Sequence, residues 1–222
     1  MKLIVLIVKV VIIPFPWFLK RRLLSVFFGY KIHPTAKIGL SFFYPEKLEM
    51  EANAYVGHFN VAINLNLILM REKSCITRSN WITGYPLGDD RYFADKLERK
   101  PVLICGKDSA ITKNHMVDCT DTVTIGDYTS IAGYGTQILT HSTSIKTNRQ
   151  DCAPIFIGSN CFVGTRSILL PGTSLPAQCV LGAGSVLTKS FTESFCLYAG
   201  SPAVFMKNMD RTYAFFHRTS RG

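Results

Sequence analysis

The chain has 222 residues, 47% of them hydrophobic, and this is ample material for one or two domains with a buried core. Its formal net charge of +10 is concentrated at the termini, and no basic stripe with interleaved aromatic residues crosses the middle, which argues against a nucleic-acid-binding protein. The seven cysteines show no CxxC and no paired spacing, which indicates a reduced, cytosolic chain rather than a disulfide scaffold.

The N-terminal residues 1–30 form an apolar and basic segment. Residues 3–19 are almost wholly apolar, but Pro14 and Pro16 interrupt them, and a membrane-spanning helix needs about 20 such residues. No small-residue cleavage site follows, which argues against a signal peptide. Residues 17–30 place apolar faces around Lys20, Arg21 and Arg22, as in an interfacial helix. We expect this segment to lie on the anionic inner-membrane surface; packing on the end of the repeat domain or on another subunit is the alternative.

From residue 31 onward the apolar residues follow a six-residue period, which is clearest over residues 155–189. Aliphatic residues occupy every sixth position there: Ile157, Val163, Leu169, Leu175, Leu181 and Leu187. A small residue follows the first five of these after four positions: Cys161, Ser167, Thr173, Cys179 and Ser185. This period fits neither a helix nor a single amphipathic strand, so it indicates a repeat architecture.

A hexad is long enough for a short strand and a tight corner. Three hexads close a triangular coil of about 18 residues, and stacked coils pair each strand with its neighbours above and below. The aliphatic residues then fill the interior, and the small residues fit beside the corners. The pattern therefore predicts an all-β fold, a parallel β-helix; the alternative is a buried α/β sheet with aliphatic runs.

The repeat domain is expected over residues 31–202, with two polar excursions that leave the coils near residues 85–101 and 142–154. Residues 203–222 follow a YAGSP turn. We expect residues 203–217 to form a short C-terminal helix that covers the open end of the stack, as repeat arrays require a cap.

The sequence resembles the hexapeptide-repeat acyltransferases, which include galactoside, maltose, serine and xenobiotic acetyltransferases. The successive motifs IGSNCFVG, LPG, LGAGSVLTK and AGSPA carry the resemblance, which covers residues 104–207 and, more loosely, 31–84. Residues 115–142 are most similar to the branch that acts in capsule and other surface-polysaccharide biosynthesis. The resemblance implies a left-handed β-helix, a homotrimer, and active sites in the clefts between subunits. A left-handed crossover departs from the usual right-handed rule.

The resemblance also implies direct acetyl transfer from acetyl-CoA in a ternary complex, with a histidine as general base and no metal. His141 ends the run QILTH and is the expected base, because the family has a histidine after a similar run. His115 and Asp118 are further catalytic candidates: Asp118 would orient an imidazole, and His115 would act in the site, bind the acceptor or cap a turn. Asn114 and Ser142 are expected to contact the acceptor.

The donor positions follow the family motifs residue by residue. Expected contacts to acetyl-CoA are Thr165, Gly182, Ala183, Gly184, Thr188, Lys189 and Lys207. The two glycines permit close approach of the pantetheine arm, and Lys189 and Lys207 are expected to meet its phosphates. The family often has arginine after its GxPA turn, where this chain has Val204, so fewer phosphate contacts are expected.

The sequence thus predicts an acetyl-CoA-dependent O-acetyltransferase that acts on a sugar of a surface polysaccharide or of its lipid-linked precursor. The nearest alternative is N-acetylation of an amino sugar or nucleotide sugar. A zinc enzyme built on three histidines needs closely spaced ligands such as HxxxxH, which do not occur here. A non-catalytic scaffold on the same fold is a third class, against which the LGAGSVLTK motif and His141 both argue.

Overall fold

In the computed structural model of the protein, which describes residues 2–88, 90–93 and 95–220, the repeats coil into a triangular prism with three parallel sheets as its sides. Sheet A contains β1 (Lys31–Ile32), β4 (Lys47–Met50), β7 (Leu67–Met70), β10 (Val102–Cys105), β13 (Val123–Ile125), β18 (Ile155–Ile157) and β21 (Ser174–Leu175). Sheet B contains β2 (Lys37–Ile38), β5 (Tyr55–Val56), β8 (Cys75–Arg78), β11 (Ala110–Lys113), β14 (Ser130–Ile131), β19 (Phe162–Val163), β22 (Val180–Leu181), β24 (Cys196–Ala199) and β25 (Val204–Asn208). Sheet C contains β3 (Phe42–Tyr44), β6 (Val61–Ile63), β9 (Trp81–Thr83), β12 (Met116–Asp118), β15 (Gln137–Leu139), β20 (Ile168–Leu169) and β23 (Val186–Leu187).

One strand from each sheet, taken in the order A, B, C, makes one coil. Coils 1 to 4 are β1–β3, β4–β6, β7–β9 and β10–β12, and coils 5 to 7 are β13–β15, β18–β20 and β21–β23. We call the edge between sheets B and C the BC corner and the edge between sheets C and A the CA corner. Residues at the same point of successive coils therefore form columns that run along the prism.

The inward columns are aliphatic, as the six-residue period predicts. The six aliphatic residues of residues 155–189 are fully buried, and so are the small residues that follow them. Backbone hydrogen bonds join each coil to the next, for example from the Gly158 N–H to the Leu175 carbonyl at 2.8 Å. The prism is therefore a filled core, and it fixes which corner residues lie above one another.

Both polar excursions leave the prism at the CA corner. The first, after coil 3, contains the short helix α3 (Asp90–Phe93). The second, after coil 5, is an antiparallel hairpin of β16 (His141–Ser144) and β17 (Arg149–Cys152). Because the coils continue in register after each excursion, the two insertions stand over the same corner.

The N-terminal segment forms two helices that pack on the first coil. Helix α1 (Lys2–Ile12) ends before Pro14, and helix α2 (Trp17–Phe28) ends at Gly29, whose φ of +67° is left-handed. Ile12 and Leu24 are buried in the same apolar core as the coils. Among the described residues, no helix is long and apolar enough to cross a membrane.

Lys20 does not lie on an exposed basic face as the interfacial-helix pattern predicts. It is buried, and its Nζ donates hydrogen bonds to the carbonyls of Gly39, at 2.7 Å, and Ile13, at 3.3 Å. The ammonium thereby joins the end of α1 and the first coil to α2. The sequence pattern missed this because a lysine in a helix usually extends to solvent.

The C-terminal region is not the helix that we expected over residues 203–217. After the turn that follows β24, β25 pairs antiparallel with it, and a single 3-10 turn, Ala214–His217, comes later. The hairpin arises because β24 is the last parallel strand of sheet B and leaves backbone groups at an open edge, which β25 pairs. Phe216 is buried where this turn meets the body.

We expect Lys20→Met to remove a pH dependence of folding stability. Burial lowers the pKa of Lys20 from 10.5 to about 8. Between those pH values the unfolded chain binds a proton that the folded chain does not, so this group raises the free energy of unfolding as pH increases. Between pH 7.5 and pH 10, chemical denaturation should show the free energy of unfolding of wild type rising by about 1–3 kcal/mol more than that of Lys20→Met. The exposed-lysine control Lys37→Met should behave as wild type, and equal pH responses of wild type and Lys20→Met would contradict this expectation.

Candidate active site

His141 and Asp118 form a hydrogen-bonded pair at the CA corner. Asp118 ends β12, and His141 follows β15, the next strand of sheet C, so the coil register places the two side by side. The Nδ1 of His141 lies 2.7 Å from Oδ2 of Asp118. Sequence analysis named both residues as catalytic candidates but placed Asp118 beside His115 and did not pair it with His141. The stacking of coils 4 and 5 brings Asp118 to His141 instead.

Asp118 is buried, and hydrogen bonds hold its carboxylate on several sides. Oδ1 accepts hydrogen bonds from the Thr120 hydroxyl at 2.7 Å and from the Thr120 N–H at 3.2 Å. Oδ2 accepts hydrogen bonds from the Thr140 hydroxyl and the Thr140 N–H, both at 2.9 Å. Burial acts to raise the pKa of Asp118, but the hydrogen bonds from His141, Thr120 and Thr140 outweigh it and lower the pKa. The carboxylate is therefore ionised and fixed at neutral pH.

The hydrogen bond to Asp118 determines which nitrogen of His141 is free. An ionised carboxylate only accepts hydrogen bonds, so Nδ1 of His141 is the donor and Nε2 of the neutral ring carries a lone pair. The His141 side chain is 43% exposed, whereas that of Asp118 is 9% exposed. The hydrogen bond to Asp118 raises the pKa of His141, against a smaller lowering by burial. The arrangement is that of a general base with a buried orienting acid.

The two excursions build a wall beside His141. In the first, the buried Arg99 donates to the carbonyls of Tyr85 and Pro86, each at 2.6 Å, and its guanidinium lies 4.7 Å from the centre of the Phe93 ring. The ring of Phe93 then meets that of His141 edge to face at 6.2 Å. Sequence analysis missed Arg99 and Phe93, because both lie in a polar stretch that carries no repeat signal.

Ion pairs join the first excursion to the second. Lys96 lies 2.8 Å from Asp151, and Arg149 pairs with Asp95. These pairs are solvent-exposed, so each contributes little to stability alone. Together they hold the hairpin that begins at His141 against the helix that carries Phe93.

His115 lies away from this pair, inside the prism at the BC corner. Its Nδ1 accepts a hydrogen bond from the Thr136 N–H at 3.1 Å, so Nε2 is the protonated nitrogen that lies 2.9 Å from Thr112 Oγ1. Burial lowers the pKa of His115 to about 4. The residue occupies the place taken in neighbouring coils by buried polar residues such as Asn80 and Thr136. The structure does not bring it to His141, and its contacts are those of a neutral residue in a corner column.

Ser142 and Asn114, the two positions predicted to contact the acceptor, lie at different corners of the prism. Ser142 is the residue after His141, exposed in β16 at the CA corner. Asn114 is exposed at the BC corner with a φ of +55°. Within the described residues, no group of three His, Cys, Asp or Glu side chains is arranged to hold a metal ion.

Four of the predicted donor positions share the upper BC corner. Thr165 belongs to coil 6, and its carbonyl accepts from the Gly184 N–H of coil 7 at 2.9 Å. Ala183 and Gly184 are exposed beside it. Gly182 has a packing role, since a Cβ there would lie 2.8 Å from the Cβ of Ala199. This corner offers small side chains and open backbone to a narrow ligand.

The other three predicted donor positions lie elsewhere. Thr188 and Lys189 follow β23 at the CA corner, and Lys207 is exposed in β25. Lys189 borders a groove of about 410 Å³ whose other lining residues are Ser190, Phe191, Thr192, Glu193, Tyr198 and Phe205. The rings of Phe191 and Tyr198 stack at 3.9 Å. Thr188 and Lys189 therefore lie at the opposite edge of sheet C from Thr165, whereas Tyr198 and Phe205 of the groove belong to sheet B.

Comparison with known proteins matches residues 154–189 to the family model described as the hexapeptide repeat of succinyl-transferase. The galactoside O-acetyltransferase of Escherichia coli (strain K12) is 33% identical over 101 residues, which are 42% of this chain and 49% of the relative. The chain therefore spans about half the length of that relative. Residues 154–189 are therefore a hexapeptide repeat of the kind found in acyltransferases.

Solved structures of hexapeptide-repeat proteins share the fold. A hexapeptide-repeat-containing acetyltransferase from Vibrio cholerae, complexed with acetyl coenzyme A, has a TM-score of 0.51 and 24% identity over 63% of this chain and 69% of its own. An N-acyltransferase from Bacillus cereus, in complex with dTDP-4-amino-4,6-dideoxyglucose and coenzyme A, has a TM-score of 0.58 and 14% identity over 74% and 85%. The resemblance to hexapeptide-repeat acetyltransferases and the left-handed parallel β-helix predicted from it are confirmed.

Replacing Asp118 by Asn should lower the pKa of His141. The carboxylate hydrogen bond is the largest contribution that raises this pKa, and without it burial acts alone in the opposite direction. Titration of the His141 ring followed by NMR should show a lower midpoint in Asp118→Asn than in wild type. Asp121→Asn removes a carboxylate from the same corner and is the matched control; a midpoint lowered equally by both variants would contradict a specific role of Asp118.

Proposed function

We propose that this chain is an acetyl-CoA-dependent O-acetyltransferase whose acceptor is a sugar hydroxyl. The observation that carries the proposal is the pair of a half-exposed His141 and a buried, fully hydrogen-bonded Asp118. The hexapeptide repeat matched over residues 154–189, which forms the two coils above this pair, supports it. The galactoside O-acetyltransferase relative supports a carbohydrate acceptor.

His141 is the general base of the proposed reaction. Its Nε2 accepts the proton of the sugar hydroxyl as the hydroxyl oxygen forms a bond to the thioester carbonyl carbon. Asp118 stabilises the imidazolium that results, because its carboxylate already holds Nδ1. When the carbon–sulfur bond breaks, the imidazolium returns the proton to the departing thiolate. Acetyl-CoA supplies the activated acyl group, and atoms and charge balance without another reactant.

The residues at the upper end of the prism fit coenzyme A. Thr165, Ala183 and Gly184 leave room for a narrow pantetheine arm, and Lys189 offers a cation for a phosphate. Stacked aromatic rings beside Lys189 suit the flat adenine base. Lys189 and Thr165 lie at opposite edges of sheet C, so a single chain does not present both to one pantetheine arm.

A homotrimer built through sheet C would join the two edges. The outward column of sheet C is largely apolar, and it runs through Phe42, Val61, Trp81, Met116, Gln137, Ile168 and Val186. Trp81 and Met116, at the centre of this column, are about half exposed in the single chain. If three such faces meet around an axis, the CA corner of one subunit faces the BC corner of the next. We therefore propose that His141 of one subunit acts beside Thr165 and Ala183 of its neighbour.

Removing the base should abolish transfer and leave donor binding intact. We expect His141→Ala to lower thiol release from acetyl-CoA about 10²- to 10⁴-fold in the presence of a sugar acceptor, because this is the usual contribution of a general base. Calorimetric titration with acetyl-CoA should give similar affinities for wild type and variant. His33→Ala, which removes an exposed histidine from coil 1, is the matched control and should retain activity.

The other outcomes separate the alternatives. If wild type binds no acetyl-CoA, the scaffold interpretation replaces the enzyme. If His141→Ala retains full activity, the base lies elsewhere. If amino sugars but no hydroxyl acceptors release thiol, the enzyme is an N-acetyltransferase with the same base.

We also propose that the N-terminal helices hold the protein on the cytoplasmic face of the inner membrane, beside a lipid-linked acceptor. Six apolar residues of α1 and three of α2 are exposed: Ile4, Val5, Leu6, Ile7, Val10, Val11, Phe18, Val26 and Phe27. Residues 1–37 carry seven bases and no acid, which suits an anionic surface. Apolar residues and excess positive charge on one segment are the features of a membrane-surface helix.

A vesicle assay tests this placement. Full-length protein should cosediment with vesicles that contain phosphatidylglycerol, and Phe18→Ser/Phe27→Ser should bind about tenfold or more weakly, because two aromatic side chains no longer enter the interface. Leu97→Ser, which removes an exposed apolar residue of the first excursion, is the control and should bind as wild type. Equal cosedimentation of all three proteins would show that α1 and α2 do not form the membrane contact.

A further inference from the structure

Three basic side chains form a column along the lower half of the BC corner. They are His58 of coil 2, Arg78 of coil 3 and Lys113 of coil 4. The Ser79 N–H donates to the His58 carbonyl at 3.0 Å, and Arg78 and Lys113 are paired in register. All three side chains are exposed, and parallel strands place successive members about 4.8 Å apart along the prism.

The column borders a groove of about 400 Å³. The groove is lined by Tyr55, Gly57, His58, Thr77, Arg78 and Lys113. This lining contains no carboxylate, and none of the described residues forms an ion pair with Arg78 or Lys113. On the neighbouring sheet A, by contrast, basic residues are neutralised, as in the pairs Lys31–Glu49 and Arg71–Glu51. Nδ1 of His58 accepts a hydrogen bond from the Leu40 N–H at 3.1 Å, so the positive charge of the column comes from Arg78 and Lys113. These two stacked like charges repel one another, so an anion in the groove would be favoured.

The column continues directly into the proposed donor site. Directly after Lys113, the corner continues through Asn114, Tyr134, Thr165 and Ala183 of coils 4 to 7, which backbone hydrogen bonds join. The exposed Arg166 lies 5.3 Å from the centre of the Tyr134 ring, and small side chains follow in coils 6 and 7. His141 ends coil 5, the coil below these small side chains. In the proposed cleft between subunits, acetyl-CoA therefore occupies the upper coils, and the space left for the acceptor runs down past Lys113 and Arg78.

We propose that the acceptor is anionic and that Arg78 and Lys113 bind a carboxylate or phosphate group next to the reacting sugar. Both cations present their donors to the same groove, and guanidinium and ammonium groups are the usual partners of these anions. Tyr55, which is 39% exposed, offers an aromatic face for a sugar ring in the same groove. This inference rests on the proposed function, because it takes the donor position and the base from it.

The test measures binding of defined probes to the full-length protein. Trisialic acid supplies carboxylates, UDP-glucose supplies phosphates, and a neutral galactose trisaccharide supplies neither. Calorimetry should show that one anionic probe binds wild type and that Arg78→Gln/Lys113→Gln weakens this binding about tenfold or more, because two charge-assisted contacts are lost. Raising the salt concentration should weaken binding to wild type in the same way. The anionic probe that binds identifies carboxylate or phosphate as the group recognised.

The control variant Lys47→Gln/Arg211→Gln removes the same number of exposed charges from sheet A and from the C-terminal region. It should bind the anionic probe as wild type does. The column variant should also keep the wild-type affinity for acetyl-CoA, which shows that it is folded and that the column does not hold the donor phosphates.

Several results would overturn the proposal. They are unchanged probe binding by the column variant, preference for the neutral trisaccharide, no binding of either anionic probe, or loss of acetyl-CoA binding in the column variant. Failure of the proposed function gives a different pattern: wild type binds no acetyl-CoA, or His141→Ala transfers acetyl as fast as wild type, while anion binding by Arg78 and Lys113 is measured independently.

Discussion

The coil-to-coil register of the prism is the constraint on which the rest of the structure depends. Aliphatic side chains from successive hexads stack into closed columns, and the parallel backbone hydrogen bonds allow no slip without moving these columns out of the core. The register of the coils also decides which residues at the corners lie next to one another. Residues distant in sequence, such as Asp118 and His141, become neighbours because each occupies the same corner of adjacent coils.

The register places Asp118 beside His141, and local hydrogen bonds then fix the orientation of both side chains. Buried hydrogen bonds from Thr120 and Thr140 fix the Asp118 carboxylate, and the carboxylate then fixes the tautomer of His141. The excursions are inserted only where coils end at the CA corner, so they surround the histidine without disturbing the core. Arg99 holds the first excursion in place by donating hydrogen bonds to its backbone carbonyls. No sequence pattern predicts this role, because it depends on how the loop folds.

The same coil-to-coil register gives each corner of the prism a different set of side chains. The CA corner carries His141 and the insertions, whereas the BC corner carries Arg78 and Lys113 in its lower coils and the small residues Thr165, Ala183 and Gly184 in its upper coils. A trimer that brings these corners together would place donor, base and acceptor groove in one cleft. The outward column of sheet C and the N-terminal helices both expose apolar side chains in a single chain.

The sequence alone determined the prism, because a six-residue period admits few structures. It also indicated two excursions and named His141 as the candidate base, and that role stays a prediction. It did not separate His115 from the site, since a histidine in a corner column and one in a cleft follow the same local spacing. Nor did it show that Lys20 is buried or that residues 204–208 form a strand, because those outcomes depend on the groups that surround them. Only the tertiary structure decided which side chains share a corner, since that depends on how many residues each coil and excursion contains.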